Sequence, residues 1–290
     1  FTLRNGSGYD RLSNESYYGG GIYAGGTDPS LKNLIIQSNT ADYGAGICLS
    51  SADAIIKNVI ITNNTATPSC AGIRIENSSP YLENILIADN TAWYNTAMSI
   101  LNSHATIVNS TITNNAVTHG SIGFQAILLS FDSDLKLLNT IILNEGVPEI
   151  EFDADYPPDT LNISYSLIQG GLDSIITNDV GIVAWGDGNV DIDPLFVYEE
   201  NGDYHLSDLS PVISAAASEV TIDGVTYTAP TTDMEGNPRP NPAGTVPDMG
   251  AYENENGAGE YNGPVWYVDG SSELPYANGS ESAKFSKIQY

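Results

Sequence analysis

The sequence predicts an all-β chain: a right-handed parallel β-helix, a solenoid of coils about 25 residues long, with an irregular C-terminal closing segment. Three observations carry this. The motif Asn-x-x-Ile occurs at Asn33/Ile36, Asn58/Ile61, Asn84/Ile87, Asn109/Ile112 and Asn139/Ile142, at spacings of 25, 26, 25 and 30 residues, and Tyr165/Ile168 follows 26 later with Tyr in place of Asn. Six residues after each of the first four stands a second Asn (Asn39, Asn64, Asn90, Asn115), the first three followed by Thr-Ala. A Gly-Ile step recurs at Gly21-Ile22, Gly46-Ile47 and Gly72-Ile73 and continues as Ala97-Met98. Three markers sharing one period identify a repeat architecture.

The repeat unit is made of strands. "LKNLII", "IKNVII", "LENILI" and "LLNTII" are short and β-branched, bounded by Asn, Gly, Ser and Asp, and no copy carries an apolar stripe of helical period. Alternation then assigns faces. Ile22/Ala24, Ile47/Leu49, Ile73/Ile75 and Met98/Ile100 point inward, while Tyr23, Cys48, Arg74 and Ser99 point outward. On the next strand Leu31, Ile56, Leu82, Ile107, Leu137 and Ile163 point inward with the six Ile that end the motif. The recurrent Asn suits a buried or half-buried corner, where its amide can bond the backbone and the Asn of the next coil. In this register Cys48 and Cys70 stand about four strand positions out of line, too far apart for a disulfide, so both are expected as free thiols, with Cys48 facing outward.

Regularity fades after Asn144, where "NEGVPEIEFDADYPPDTLNISYSLIQGG" makes a longer coil with an acidic, Pro-containing excursion. Residues 1–185 are assigned to coils. Residues 186–253, dense in Pro, Gly and Asp, form the closing segment, expected over the open end of the solenoid because an exposed strand edge needs covering. Residues 254–264, "NENGAGEYNGP", read as a linker, and residues 265–290 as the start of a further β-helix unit or a docking strand.

"GGGIYAGGTDPSLKNLIIQSNTADYGAGI" resembles the coils of pectin-lyase-like, right-handed β-helix repeat proteins of secreted bacterial origin. "NVDIDPLFV…NGDYHLSDLSPVISAA" with "DMEGNPRP…VPDMGAYE" resembles the closing segment of the subgroup with exchangeable C-terminal anchors. The resemblance covers residues 1–253 and implies export and display at the cell surface, that is, a secreted or extracellular location. "VWYVDGSSELPYANGSESAKFSKIQY" resembles the opening of another β-helix unit and "FTLRNGSGYD" a mid-helix coil, which implies a slice of a longer tandem protein.

Charge narrows the partners. Nine Lys+Arg against 36 Asp+Glu leave a net charge of −27, a field that repels phosphate backbones and argues against nucleic acid. No apolar run approaches 18 residues, so no direct membrane insertion by a helix is expected. The basic residues of the coils (Arg4, Arg11, Lys32, Lys57, Arg74, Lys136) converge on no single face, as uronate lyase chemistry would require. His104, His119 and His205 are scattered without a nucleophile partner. No catalytic residue is assigned and no cofactor is required. Two binding candidates remain. Asp187, Asp191 and Asp193 in "GDGNVDIDP" are either turn formers or ligands of a structural Ca²⁺. Tyr18, Tyr43, Trp93 and Tyr94, in the turn before the Gly-Ile strand, either stack on glycans or shield strand ends. The expected function is an extracellular or cell-surface structural, adhesin-like module, a rigid acidic rod whose partners are surface glycans or further copies of itself. The alternative is a polysaccharide-binding or polysaccharide-degrading protein of lyase or hydrolase type, working beside Tyr23, Cys48, Arg74 and Ser99.

Overall fold

The computed structural model describes residues 1–257 apart from Leu12, Asn14, residues 119–124 and Pro157. The end of the expected linker, the unit expected at 265–290 and His119 lie outside the described residues. Among those described, about six coils stack into three parallel sheets. The first sheet is built from strands such as Ser30–Gln37, Ile55–Thr62 and Tyr81–Ala88, and ends at Gly181–Trp185. The second runs from Ile22–Gly25 through Ile47–Ser50, Ile73–Glu76, Met98–Leu101 and Ile127–Ser130 to Ile175–Ile176. The third includes Thr40–Tyr43, Thr65–Ser69 and Thr91–Tyr94. Among the described residues antiparallel pairing is found at Tyr9–Asp10 with Tyr17–Tyr18, in two hairpins late in the chain and at the single bridge Thr232–Pro238.

The inward assignments hold. Ile22, Ile47, Ile73, Met98, Ile127, Ile150 and Ile175 are aligned in register, as are Ile36, Ile61, Ile87, Ile112, Ile142 and Ile168. From Ile47 onward the members of these rows are buried in one continuous core. The long first-sheet strand bends at the motif Asn: Asn33, Asn58, Asn84, Asn109, Asn139 and Tyr165 all take left-handed φ between 45° and 55°. Asn tolerates that conformation better than other non-glycine residues, which explains its recurrence at this corner.

Polar groups inside the stack are satisfied between coils. The second Asn row is the fully buried one. Asn64 donates Nδ2 to Asn90 Oδ1 at 2.9 Å and to Ile36 O at 3.0 Å, while its backbone N–H reaches the same Asn90 Oδ1 at 3.0 Å. Asn39, Asn90 and Asn115 repeat the arrangement, and Asn144 closes the row on a buried carboxyl, with Asn144 N to Glu149 Oε1 at 2.7 Å and Nδ2 to Oε2 at 2.8 Å. A serine row does the same at another corner: Ala52 N to Ser78 Oγ, Ser78 N to Ser103 Oγ, Ser103 N to Ser133 Oγ, and finally Ser133 N to Asp159 Oδ1 at 2.8 Å. Both rows therefore terminate on an acid that replaces an amide or a hydroxyl. Burial pushes the Glu149 carboxyl up to about 8 and Asp159 up to about 6.

The closing segment lies elsewhere than expected. It runs along the flank of the solenoid, against the outward side of the first sheet. Leu206, Val212, Ile213, Ala216 and Met249 pack with Ile141 and Leu167, and Tyr204, Ala251 and Tyr252 pack with Leu86 and Ala88. It also binds the corner amides: Asn84 Nδ2 donates to Thr232 O (2.9 Å), Asn109 Nδ2 to Asp248 O (3.2 Å) and Asn139 Nδ2 to Ala217 O (2.8 Å). These three Asn are buried, whereas Asn33 and Asn58, outside its reach, remain exposed and half-buried. The physical reason is visible in the register: Ile35, Ile60, Leu86, Thr111, Ile141 and Leu167 share the outward column, so with Thr111 as the one polar member this column is apolar on the outer face as well and needs a cover. Among the described residues no strand pairs beyond Gly181–Trp185, where Ile182 is 64% exposed. Asn254 and Asn256, at the start of the expected linker, bond Leu206 O and Asp208 and so belong to this flank clasp.

Removing a middle rung of the buried Asn row should be costly. Asn90→Ala leaves one N–H of the Asn64 amide and the Asn64 backbone N–H without acceptors, at about 1–3 kcal/mol each, so a loss of roughly 3–5 kcal/mol is expected by urea unfolding. Asn58→Ala, at the half-exposed corner, should cost about 1 kcal/mol. The acid terminators set an unusual pH dependence. Glu149 and Asp159 hold their protons more tightly folded than unfolded, so their contribution is complete below the ordinary carboxylate range. It is lost as the pH rises through about 6 and about 8. The melting temperature should therefore fall between pH 5 and 9, and Glu149→Gln should flatten the upper part of that fall.

Candidate functional site

Two places concentrate polar and aromatic side chains. The first is inside the flank clasp. Arg239, its side chain fully buried, sits with Nε 2.8 Å from Glu253 Oε2, donates Nη2 to Gly250 O (3.1 Å), and reaches Asn84 Oδ1 with Nη1 (3.3 Å). Around it Asp233 accepts from the backbone of Glu235, Asn237 and Glu253, and Asp248 from the backbone of Ser214 and Asn254. Burial pushes Glu253 up to about 7 and raises Asp248, while Arg239, Asn241 and Asn254 partly offset it. This explains the motif "DMEGNPRP…VPDMGAYE": its Asp, Arg, Asp and Glu are one buried knot that turns an irregular chain into a defined cover. Beside it His205 bridges Asp203 Oδ1 (2.6 Å) and Glu235 Oε2 (3.3 Å) and stacks on Tyr252 at 4.0 Å, so both its partners are acids and it serves no nucleophile.

The second place is the outer face of the second sheet. Tyr23, Cys48, Arg74 and Ser99 are in register, as expected for one outward column. Accessibility differs from the expectation for Cys48 and Ser99, which are buried, because turns from the third sheet fold over them. Gly44 makes that approach possible: at φ 63°, a Cβ on it would lie 3.1 Å from Cys48 Cβ and 3.0 Å from Arg74 Cβ. Cys48 and Cys70 are both free and buried, and burial holds each thiol up to about 12, so neither is a nucleophile at neutral pH. Sequence reading placed Cys48 on the correct face and missed its cover.

Over this column stands a network of charge and aromatic rings. Glu76 is bonded by Arg11 and by Arg74, whose Nη2 lies 2.6 Å away. Arg74 rests 5.0 Å above the Tyr43 ring and Arg11 5.7 Å above Tyr18, while Tyr18 and Tyr43 stack at 5.0 Å. Of the four residues expected as a glycan face, the fold thus brings Tyr18 and Tyr43 together as a half-buried, cation-capped pair. Tyr94 belongs to the same column but two coils away, with Ser69 in the coil between it and Tyr43, and Trp93 precedes it on the strand Thr91–Tyr94. They do not make one continuous platform.

Next to this network opens a shallow groove of 680 Å³, lined by Arg74, Glu76, Leu101 and the corner residues Asn77, Asn102 and Phe131, with Asp132, Asp155 and Tyr156 at its far end. Phe131 and Tyr156, stacked at 3.9 Å, are the aromatic pair that sequence reading missed. The signal was available, since Phe131 holds the corner position of Ser51, Asn77 and Asn102 in earlier coils, each donating its backbone N–H to the next coil.

The three candidate calcium ligands are exposed and each residue takes part in a hydrogen bond, two of them with the preceding coil and that of Asp193 within its own turn. Asp191 Oδ1 accepts from Gly170 N (2.9 Å), Asp193 Oδ1 from Leu195 N (2.8 Å), and the backbone carbonyl of Asp187 from Tyr165 N (2.8 Å). Among the described residues no three His, Cys, Asp or Glu side chains gather around a point that could hold a metal ion.

The knot makes a testable demand on stability. Arg239→Met removes the cation from among three buried acids and should destabilise the chain by about 3–5 kcal/mol above pH 8. The loss should shrink below pH 6, where Glu253 carries a proton, and Arg239→Met combined with Glu253→Gln should recover part of it, read from urea midpoints at the two pH values.

Comparison with known proteins adds handedness and lineage. No curated protein and no solved structure gives a significant match to this chain. The family described as "Right handed beta helix region" matches residues 20–194, which begin just before the first Gly-Ile step and end just after the last first-sheet strand. That match takes in more than half of the 290 residues, and the chain belongs to the right-handed β-helix family.

Proposed function

We propose that the chain is a structural, adhesin-like module of a secreted or cell-surface protein, a stiff acidic segment that positions other parts or copies of that protein and meets glycans along one side. The observation that carries this reading is the way the fold spends its polar residues. The Asn and Ser rows, the flank knot and the Arg11–Glu76–Arg74 network all spend their hydrogen-bonding capacity on partners within the chain, joining coil to coil or cover to coil. In the groove the guanidinium of Arg74 is held by Glu76. The net charge of −27 keeps such a segment soluble and apart from nucleic acid.

A polysaccharide-degrading reading is the second one, and the open 680 Å³ groove is the feature that favours it. The two separate in a single assay series. Incubated with uronate and neutral polysaccharides, the chain is expected to release neither unsaturated uronates nor new reducing ends, and antibodies raised against it should label intact, unpermeabilised cells of its source. Sustained product release would overturn the structural reading, and label appearing only after permeabilisation would overturn the surface location.

A further inference from the structure

The corner that links the second sheet to the first is occupied in successive coils by Gly26, Ser51, Asn77, Asn102 and Phe131, all at left-handed φ. Glycine and asparagine suit that conformation, and Asn102 Nδ2 donates to Asn77 Oδ1 at 2.7 Å, beginning another inter-coil amide row. Phe131 breaks the row. A bulky aromatic is held at φ 63°, with Asp132 behind it also left-handed at 61°. Strain of this kind persists where the surroundings impose it and is concentrated at functional positions.

Packing does not account for this Phe. It is 44% exposed, and its partner Tyr156, delivered by the acidic excursion of the following coil, is 47% exposed. The backbone holds the pair in place, because Phe131 N donates to Tyr156 O at 3.1 Å. Two exposed, stacked rings thus form one wall of the groove. The adjoining corners supply exposed amides: the Asn77–Asn102 bond occupies one donor and one acceptor, leaving Asn77 Nδ2 and Asn102 Oδ1 to meet hydroxyl groups. Flat apolar faces beside amides and carboxylates match the two sides of a pyranose, its C–H face and its equatorial hydroxyls.

Charge selects within that class. The groove holds Glu76, Asp132 and Asp155 against the single cation Arg74, which is already paired with Glu76 at 2.6 Å. Uronates and sulfated sugars would meet net negative charge with no free cation among the described residues that line the groove.

We infer that Phe131 and Tyr156 are the stacking platform of a binding site for a neutral polysaccharide chain, running past Asn102 and Asn77 and excluding uronate polymers. The site rests on the glycan-contacting side of the function proposed above, and its position differs from the Tyr18, Tyr43, Trp93 and Tyr94 set.

Affinity electrophoresis of the full chain in gels containing glucan, mannan, xylan, galactan or polygalacturonate tests it. Retardation by at least one neutral polymer and none by polygalacturonate is expected. Phe131→Asn is the decisive variant: it should restore the corner row and raise Tm by about 2–4 °C, while weakening glycan retention about tenfold or more. Tyr156→Ala should weaken retention similarly, and Tyr94→Ala should leave it unchanged. Equal retention of wild type and Phe131→Asn would overturn the site while leaving glycan contact intact. Retention by polygalacturonate would overturn the substrate class. Absence of retention in every gel would overturn both the site and the glycan-contacting side, and would leave the structural module standing.

Discussion

Every other feature of this chain depends on one constraint: a stack of parallel coils must satisfy its interior polar groups by bonding each coil to the next. The strand ladders do so for the flat sides, but the corners interrupt them, and at a corner the backbone N–H points where no strand partner stands. The Asn39, Asn64, Asn90, Asn115 and Asn144 row solves this with one residue type, because an amide carries both an acceptor for the N–H below and donors for the carbonyls beside it. The Ser78, Ser103 and Ser133 row solves it with a hydroxyl, which accepts the neighbouring N–H and donates to a carbonyl of its own coil. A repeat period near 25 residues is the outward sign of these rows.

A row of this kind must end, and its ending is chemically informative. Glu149 and Asp159 accept from the last member and donate nothing further when ionised, so each closes its row without needing another coil above. The cost is a buried carboxyl, visible in the upward displacement of both groups and in the unpartnered Oδ2 of Asp159. The flank clasp repeats the theme with Asp233, Asp248 and Glu253 around Arg239. Acid is thus used internally as well as on the surface of this strongly anionic chain, and the internal acids favour folding at mildly acidic rather than alkaline pH.

The outer face of the second sheet shows how the same scaffold yields a usable surface. Where turns such as that at Gly44 fold over, they close the Cys48 and Ser99 positions. One step further along the strand the corner is open, and replacement of the amide row by Phe131 converts a structural position into an exposed aromatic one. A solenoid offers this economy: function is added by altering one member of a row while the neighbouring rungs keep the coil in place.

The coils were legible in the sequence because each rung reports the same local physics independently. Inward Ile, left-handed Asn and Gly-Ile steps recur at one spacing, and the predicted inward set is buried apart from Ile22 and Leu31 in the first coil, which are half-buried. The free state of both thiols followed from the same register. The flank position of the clasp was only half written there. The uninterrupted apolar runs "LII", "VII" and "IIL" after the corner record a sheet covered on both faces, yet nothing local says which distant segment covers it. Arg239, Glu253 and Asn84 meet across more than 150 residues, and such a meeting is decided by packing alone. So too are the burial of Cys48 and the pairing of Phe131 with Tyr156. Periodicity determines what a residue does within its own rung, whereas contacts between an irregular segment and the rungs depend on where the folded chain brings them.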